Sequence, residues 1–205
     1  MRIGKSLVLF SLLLAVASPA TAQRRQQRLV IGFGLGRVIP LNPITPGEEY
    51  KLNDAGATII TVDYWFVPAV AARLSYESTR GRLAVPEQDS FAKIWTSYLG
   101  VLLAPVSVGA RPRPYLVLGG GVRHYDVNAA VEPPGGGPTW DISPTQYRLA
   151  GYAGAGGTVT IKRVSLVPEV GFFVNDLRHN FPCNGCSGQV SRQVDLQVSV
   201  NLQLR

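Results

Sequence analysis

The sequence predicts an all-β chain folded as an eight-stranded antiparallel up-and-down transmembrane β-barrel. Three observations predict it. Segments of roughly ten residues alternate apolar and polar side chains, the links between them alternate long and short, and a secretory leader precedes them all.

The alternation is cleanest in the last segment, RQVDLQVSVNLQLR, Arg192 to Arg205. Val194, Leu196, Val198, Val200, Leu202 and Leu204 alternate without a miss against Gln193, Asp195, Gln197, Ser199, Asn201 and Gln203. Successive strand side chains point to opposite faces, so this strand has one apolar and one polar face. A helix would spread the same residues around its circumference.

At the other end, Arg2 and Lys5 open a short positive region, Ser6 to Ala17 form an apolar run, and Ala20-Thr21-Ala22 is a small-x-small site before Gln23. This is the pattern of a secretory signal peptide over residues 1–22, cleaved after Ala22. The run is short of the roughly 20 residues a spanning helix needs. Residues 23–205 are then the barrel domain. The formal charge is +7, and taking away Arg2 and Lys5 leaves +5. Part of that surplus is the tether QRRQQR with Arg24, Arg25 and Arg28, read as a solvated leader. Export argues against nucleic acid as a partner. No later apolar run is long enough for a helix, so any membrane insertion uses strands.

The strands follow in order. In Leu29 to Val38, Leu29, Ile31, Phe33 and Leu35 oppose Gly32, Gly34 and Gly36. The run GFGLG lies inside this alternation with no helix after it, so it marks tight space and not a nucleotide loop. A long link rich in turn residues leads to a pair of strands, Ala57 to Val67 and Ala69 to Arg80, around the corner at Val67-Pro68. A second polar link is expected over Thr79 to Ser90. In Phe91 to Ala104, Trp95, Leu99, Val101 and Leu103 oppose Thr96, Tyr98 and Gly100, and Lys93 either snorkels from the apolar face or marks a bulge. After a turn come Tyr115 to Val127, a loop with PPGGGP, then Gln146 to Thr160. A tight turn at Lys162-Arg163 precedes Val164 to Asn175, where Pro168 is expected to force a bulge. An even barrel with short turns at one rim and long loops at the other has this rhythm, with both termini on the short-turn side.

Alternation alone leaves open which face is outside. A soluble periplasmic lipocalin-like barrel would turn the apolar face inward around a ligand. Glycine and other small residues on the polar face suit a crowded lumen, and Tyr64, Phe66, Tyr76, Tyr147 and Phe172 near strand ends suit interface girdles. The apolar face is therefore expected outside. Asp63, Arg73, Glu77, Arg123, Arg148, Glu169 and Asp195 then point into the lumen as a polar and charged cluster. Eight strands leave an interior just wide enough for side chains to fill, so a plugged lumen is expected, with a narrow porin-like channel for small solutes as the alternative.

Cys183 and Cys186 lie in NFPCNGCSG. In an oxidising compartment this pair is a disulfide candidate. Free thiols and a metal site are the alternatives, but only His179 is near and no second pair completes a zinc set. No cofactor is expected. Catalysis would have to rest on His124 with Asp126, or on His179, and no serine is placed to receive either, so no enzyme is expected. Loops are the remaining carriers of function. Lys51, Arg80, Arg82 and Arg178 could pair with lipopolysaccharide phosphates.

The leader, the loop rhythm, the segment PYLVLGGGV (Pro114 to Val122) and the alternating closing strand resemble the small eight-stranded outer-membrane barrels of Gram-negative bacteria, the OmpA/OmpX/OmpW-like group. The resemblance covers the whole chain after the leader. It implies a monomer in outer-membrane lipid and lipopolysaccharide, assembled by the outer-membrane insertion machinery. It also implies periplasmic termini, extracellular long loops, and a structural or loop-mediated interaction role in the envelope. Closing strands in that group commonly end in an aromatic residue, where this chain has Leu204-Arg205.

Overall fold

A computed structural model describes residues 29–43, 51–85, 88–104, 113–128, 130–131, 140–141, 145–161, 164–178 and 190–204. The leader, the arginine tether, His179, the PPGGGP loop and the Cys183–Cys186 pair lie outside these residues. Eight long strands carry the fold: β1 (Leu29–Pro40), β2 (Ala55–Val67), β3 (Val70–Val85), β4 (Gln88–Leu103), β5 (Arg113–Asn128), β6 (Thr145–Ile161), β7 (Val164–Arg178) and β8 (Val190–Leu204). Three two-residue pieces are added at the long-loop end, Lys51–Leu52 against β3 and Ala130–Val131 against Trp140–Asp141. No described residue is helical.

Every long strand pairs antiparallel with its chain neighbours, and β1 pairs with β8, so the sheet closes on itself. From Ile31 the ladder steps to Val62, Leu74, Leu99, Gly120, Gly151, Val174 and Val194. It returns to the chain at Leu41, whose amide donates to the Val194 carbonyl at 2.8 Å, ten residues beyond its start. Eight strands closing with that stagger tilt by about 40° and enclose a backbone radius of about 8 Å.

The apolar face is outside. Leu35, Phe66, Leu74, Leu99, Leu118, Tyr147, Leu149 and Phe172 are exposed, and the alternate residues are buried. A lipocalin-like barrel needs the reverse, and the structure excludes that arrangement. Inside, glycines make the space for rings. A Cβ on Gly171 would lie 2.2 Å from the Tyr152 hydroxyl, one on Gly156 2.5 Å from the Tyr115 hydroxyl, and one on Gly121 2.5 Å from the Tyr98 Cα.

Two local expectations are corrected, and one open alternative is settled. The link expected over Thr79 to Ser90 is mostly strand: β3 and β4 stay paired out to Val85 opposite Gln88, leaving only residues 86–87 between them. Arg80 and Arg82 break the apolar alternation and so read as loop, but an outward side chain beyond the apolar band is free to be charged. Pro168 makes no bulge. Pairing with β8 runs through it unbroken, and pairing with β6 lapses at Val167 and Pro168 and resumes in the same register at Glu169. The proline therefore costs a rung and shifts nothing. Lys93 sits on an unshifted ladder, exposed on the outward face, and the irregularity among the long strands falls at Trp65–Val67 beside the first turn.

The glycine sites generate a prediction. Gly121→Ala must push a Cβ into the Ser97 carbonyl, 2.0 Å away, and is expected to destabilise the barrel by about 1–3 kcal/mol. Gly151→Ala, with nothing within 4 Å, is expected to be neutral or slightly stabilising. Urea midpoints of the two refolded variants, read by gel shift of unheated samples, check the contrast.

Candidate functional site

The interior is the chemically distinctive part of the described molecule. Because side chains alternate, Asp63 of β2 and Arg73 of β3 both face inward, and the register sets them directly opposite each other. Arg73 grips Asp63 in a two-pronged contact, Nε to Oδ1 at 2.7 Å and Nη2 to Oδ2 at 2.9 Å. Its Nη1 donates to Glu169 of β7 at 2.5 Å, across the lumen. Glu169 also accepts from the hydroxyls of Tyr115 and of Tyr152, the latter at 2.6 Å, and Gln203 donates to Asp63 at 3.0 Å. Arg73 is 1 % exposed. This layer lies near the short-turn end, since Arg73 is only three residues into β3.

Above it, Tyr98, Tyr152 and Phe173 pack ring against ring, with centroids 4.5 to 5.8 Å apart. A second polar layer sits on them. Arg123 of β5 binds Asp195 of β8, donates to Asn175 at 3.0 Å and to Thr96 at 3.3 Å, and lies 5.0 Å from the Phe173 ring centre. Asn175 and Tyr125 hydrogen-bond each other. Glu77 accepts from Thr79 at 2.9 Å and from Gln197 at 2.7 Å. Arg123 Nη2 and Asp195 Oδ1 have no partner among the described residues, so this layer is less completely bonded than the one below.

Of the seven residues expected in the lumen, Asp63, Arg73, Glu77, Arg123, Glu169 and Asp195 are buried in these two layers. Arg148 is half-buried nearer the long-loop mouth, held by Gln146 at 2.8 Å. Sequence reasoning missed the partners that complete the layers, chiefly Tyr115, Tyr152, Asn175 and Tyr125. Their signal was parity: each shares the inward face of its strand with a charge or a run of glycines. The layers span the lumen with charge-assisted bonds and rings, and the described interior holds no cluster of three or more metal-ligating side chains.

His124 faces outward, stacked between Trp95 at 4.9 Å and Tyr147 at 4.3 Å between ring centres. Its Nε2 has no hydrogen-bond partner among the described residues. On the outer face at the long-loop end, Arg80, Arg82 and Lys93 line a pocket of about 480 Å³ with Asn53, Asp54, Gly81 and Ala92. Nearby, Arg37 pairs with Asp54 at 3.1 Å.

Arg73→Met leaves Asp63 and Glu169 buried beside each other without their cation and is expected to cost about 3–5 kcal/mol. Gln203→Leu, which removes one neutral donor from Asp63, is expected to cost about 1–3 kcal/mol. Urea unfolding of the refolded variants, followed by tryptophan fluorescence, separates the two.

No family model matches the chain, and no curated protein matches it in sequence. Solved structures do match its fold. Neisserial surface protein A superposes with a TM-score of 0.56 at 11% identity, covering 87% of this chain and 97% of that one. The outer membrane protein OprG from Pseudomonas aeruginosa superposes with a TM-score of 0.55 at 13% identity, covering 86% and 95%. The chain has the closed eight-stranded antiparallel fold of these barrels.

Proposed function

We propose that this protein is an integral barrel of the bacterial outer membrane, closed to solutes, with a structural or loop-mediated role in the envelope. The observation that carries this reading is the polarity of the two faces. Leucine, valine, isoleucine and aromatic side chains cover the outside from β1 to β8, far beyond the few hundred square ångströms of apolar patch that a water-soluble monomer tolerates. The two arginine layers fill the inside. Closure leaves the eight long strands without an unpaired edge, which is what a sheet needs in order to lie in hydrocarbon.

The short-turn end, with both termini, faces the periplasm in this reading, and the long links face outward. Assembly falls to the outer-membrane insertion machinery, with the barrel inserted as a monomer among lipid and lipopolysaccharide. The leader over residues 1–22 supplies export, and in the oxidising compartment it leads to, Cys183 and Cys186 stay a disulfide candidate. Nucleic acid is no partner of an exported barrel. A non-enzymatic role is supported by His124, whose ring is clamped between two aromatic faces on the outer wall.

The mature protein is expected to stay in the outer-membrane pellet after an alkaline carbonate wash of expressing cells' envelopes. Release as a soluble monomer would sink the membrane reading. In planar bilayers the purified barrel is expected to show no stepwise conductance. Discrete steps would instead establish the channel alternative, and the two buried arginines against four buried carboxylates among the described residues would make it favour cations.

A further inference from the structure

We propose that the upper polar layer of the lumen binds one monovalent cation between Glu77 of β3 and Asp195 and Gln197 of β8. This site goes beyond the envelope role proposed above and depends only on the folded lumen. Glu77 is 0 % exposed, and among the described residues no arginine or lysine nitrogen makes an ion pair with it. Each of its oxygens accepts a hydrogen bond, from Thr79 at 2.9 Å and from the Gln197 amide nitrogen at 2.7 Å. That is the bonding pattern of an ionised carboxylate. A carboxylate buried without a cation is costly, and proteins meet the cost with a paired side chain or a metal ion.

Arg123 is close enough to act on Glu77, as are Asp195 and Glu169, but its ion pair is with Asp195. Two carboxylates against one guanidinium leave this layer with one negative charge in excess. The lower layer has the same excess, yet there both carboxylates touch Arg73 and every carboxylate oxygen is bonded. In the upper layer, oxygens are left over. Asp195 Oδ1 and Gln197 Oε1, on successive inward positions of β8, have no hydrogen-bond partner among the described residues, and neither has Gln193 Oε1, one inward position nearer the mouth. All three residues are buried. Because the Gln197 amide nitrogen sits on Glu77, the oxygen of the same amide lies beside that carboxylate. Arg123 Nη2 is the one unbonded donor of the layer against these three acceptors. Water would give the oxygens donors and leave the charge; a cation answers both.

The donors select the ion. Carboxylate and carboxamide oxygens are hard ligands that suit alkali and alkaline-earth ions and not soft transition metals. A divalent ion would turn the excess negative charge into an excess positive one, buried beside Arg123, whereas a monovalent ion cancels it. The approach is from the long-loop end. Glu77 and its ladder partner Thr96 stand one inward step above Ser75 and Tyr98, and Tyr98 packs with Tyr152 and Phe173 to close the lumen beneath. The site is therefore a dead end, in which an ion is held and not passed on.

The test uses the full mature chain refolded in a non-ionic detergent. Equilibrium dialysis against rubidium counts bound ion, with ionic strength held constant by tetramethylammonium, which is too bulky for the lumen. Saturable uptake approaching one rubidium per chain is expected, with sodium and potassium competing. Because an ion bound only by the folded chain stabilises it, the urea midpoint is expected to be higher in sodium, potassium or rubidium chloride than in tetramethylammonium chloride. Glu77→Gln keeps the shape and removes the charge; it is expected to weaken uptake by about tenfold or more and to make the midpoint independent of the salt. Gln197→Met keeps the charge and removes the amide oxygen, and about tenfold weaker uptake is expected there too, so the decision does not hang on one variant folding. No saturable uptake by the unsubstituted chain, with equal midpoints in all four salts, overturns the site and leaves a proton on Glu77. Unchanged uptake in a folded variant overturns its placement in this layer. Calcium or magnesium displacing rubidium at far lower concentration overturns the monovalent assignment. Rubidium uptake by a chain that a carbonate wash releases from envelopes would keep the site and sink only the membrane reading.

Discussion

Everything inside the barrel answers to the stagger at which β1 closes on β8. Eight strands meeting ten residues out of step fix the radius, and the radius fixes how much side chain the interior can hold. Tyr98, Tyr115 and Tyr152 all face inward, and each occupies volume that a facing strand yields by carrying glycine. Closure also satisfies the backbone. With each long strand paired on both sides, the outer wall presents side chains and not bare amides, so it can be as apolar as the sequence makes it.

The two arginine layers are better understood as register locks than as sources of stability. Burying an arginine and its carboxylates costs about as much as their attraction returns, so well-packed apolar residues of the same volume would serve stability as well. What they add is intolerance of error. A one-residue slip of β3 against β2 would turn Arg73 outward onto the apolar wall and leave Asp63 and Glu169 facing each other unpaired. Arg73 ties β3 to β2 and, across the lumen, to β7; Arg123 ties β5 to β4, β7 and β8. Each layer forms only when strands distant in sequence have arrived in register.

Period-two alternation was enough to read eight strands and to assign the inward face to Asp63, Arg73, Glu77, Arg123, Glu169 and Asp195. It could not say which carboxylate meets which arginine. Asp63 opposite Arg73 follows from a tight turn, but Glu169 lies 96 residues from Arg73 and reaches it only through the barrel's stagger. The rings were hidden for a related reason. Tyr152 shares the alternate face of its strand with Arg148 and Gly154, and its contact with Glu169 depends on a curvature that no local window contains. Pro168 misled because a proline normally argues for a bulge, whereas here the two strands beside it keep their register and absorb the missing donor.

The misread link between β3 and β4 and the cationic pocket have one origin. Arg80 and Arg82 break the apolar alternation, and a broken alternation reads as loop. The structure keeps them on a paired strand, with the next outward position across the ladder also a cation. A solvated loop would let such charges spread apart; a strand pair holds Arg80 and Lys93 side by side. Inside the wall, Arg73 meets its carboxylates at 2.5 to 2.9 Å; on the outer rim the ladder sets Arg80 beside Lys93, and Lys93 beside Asp126.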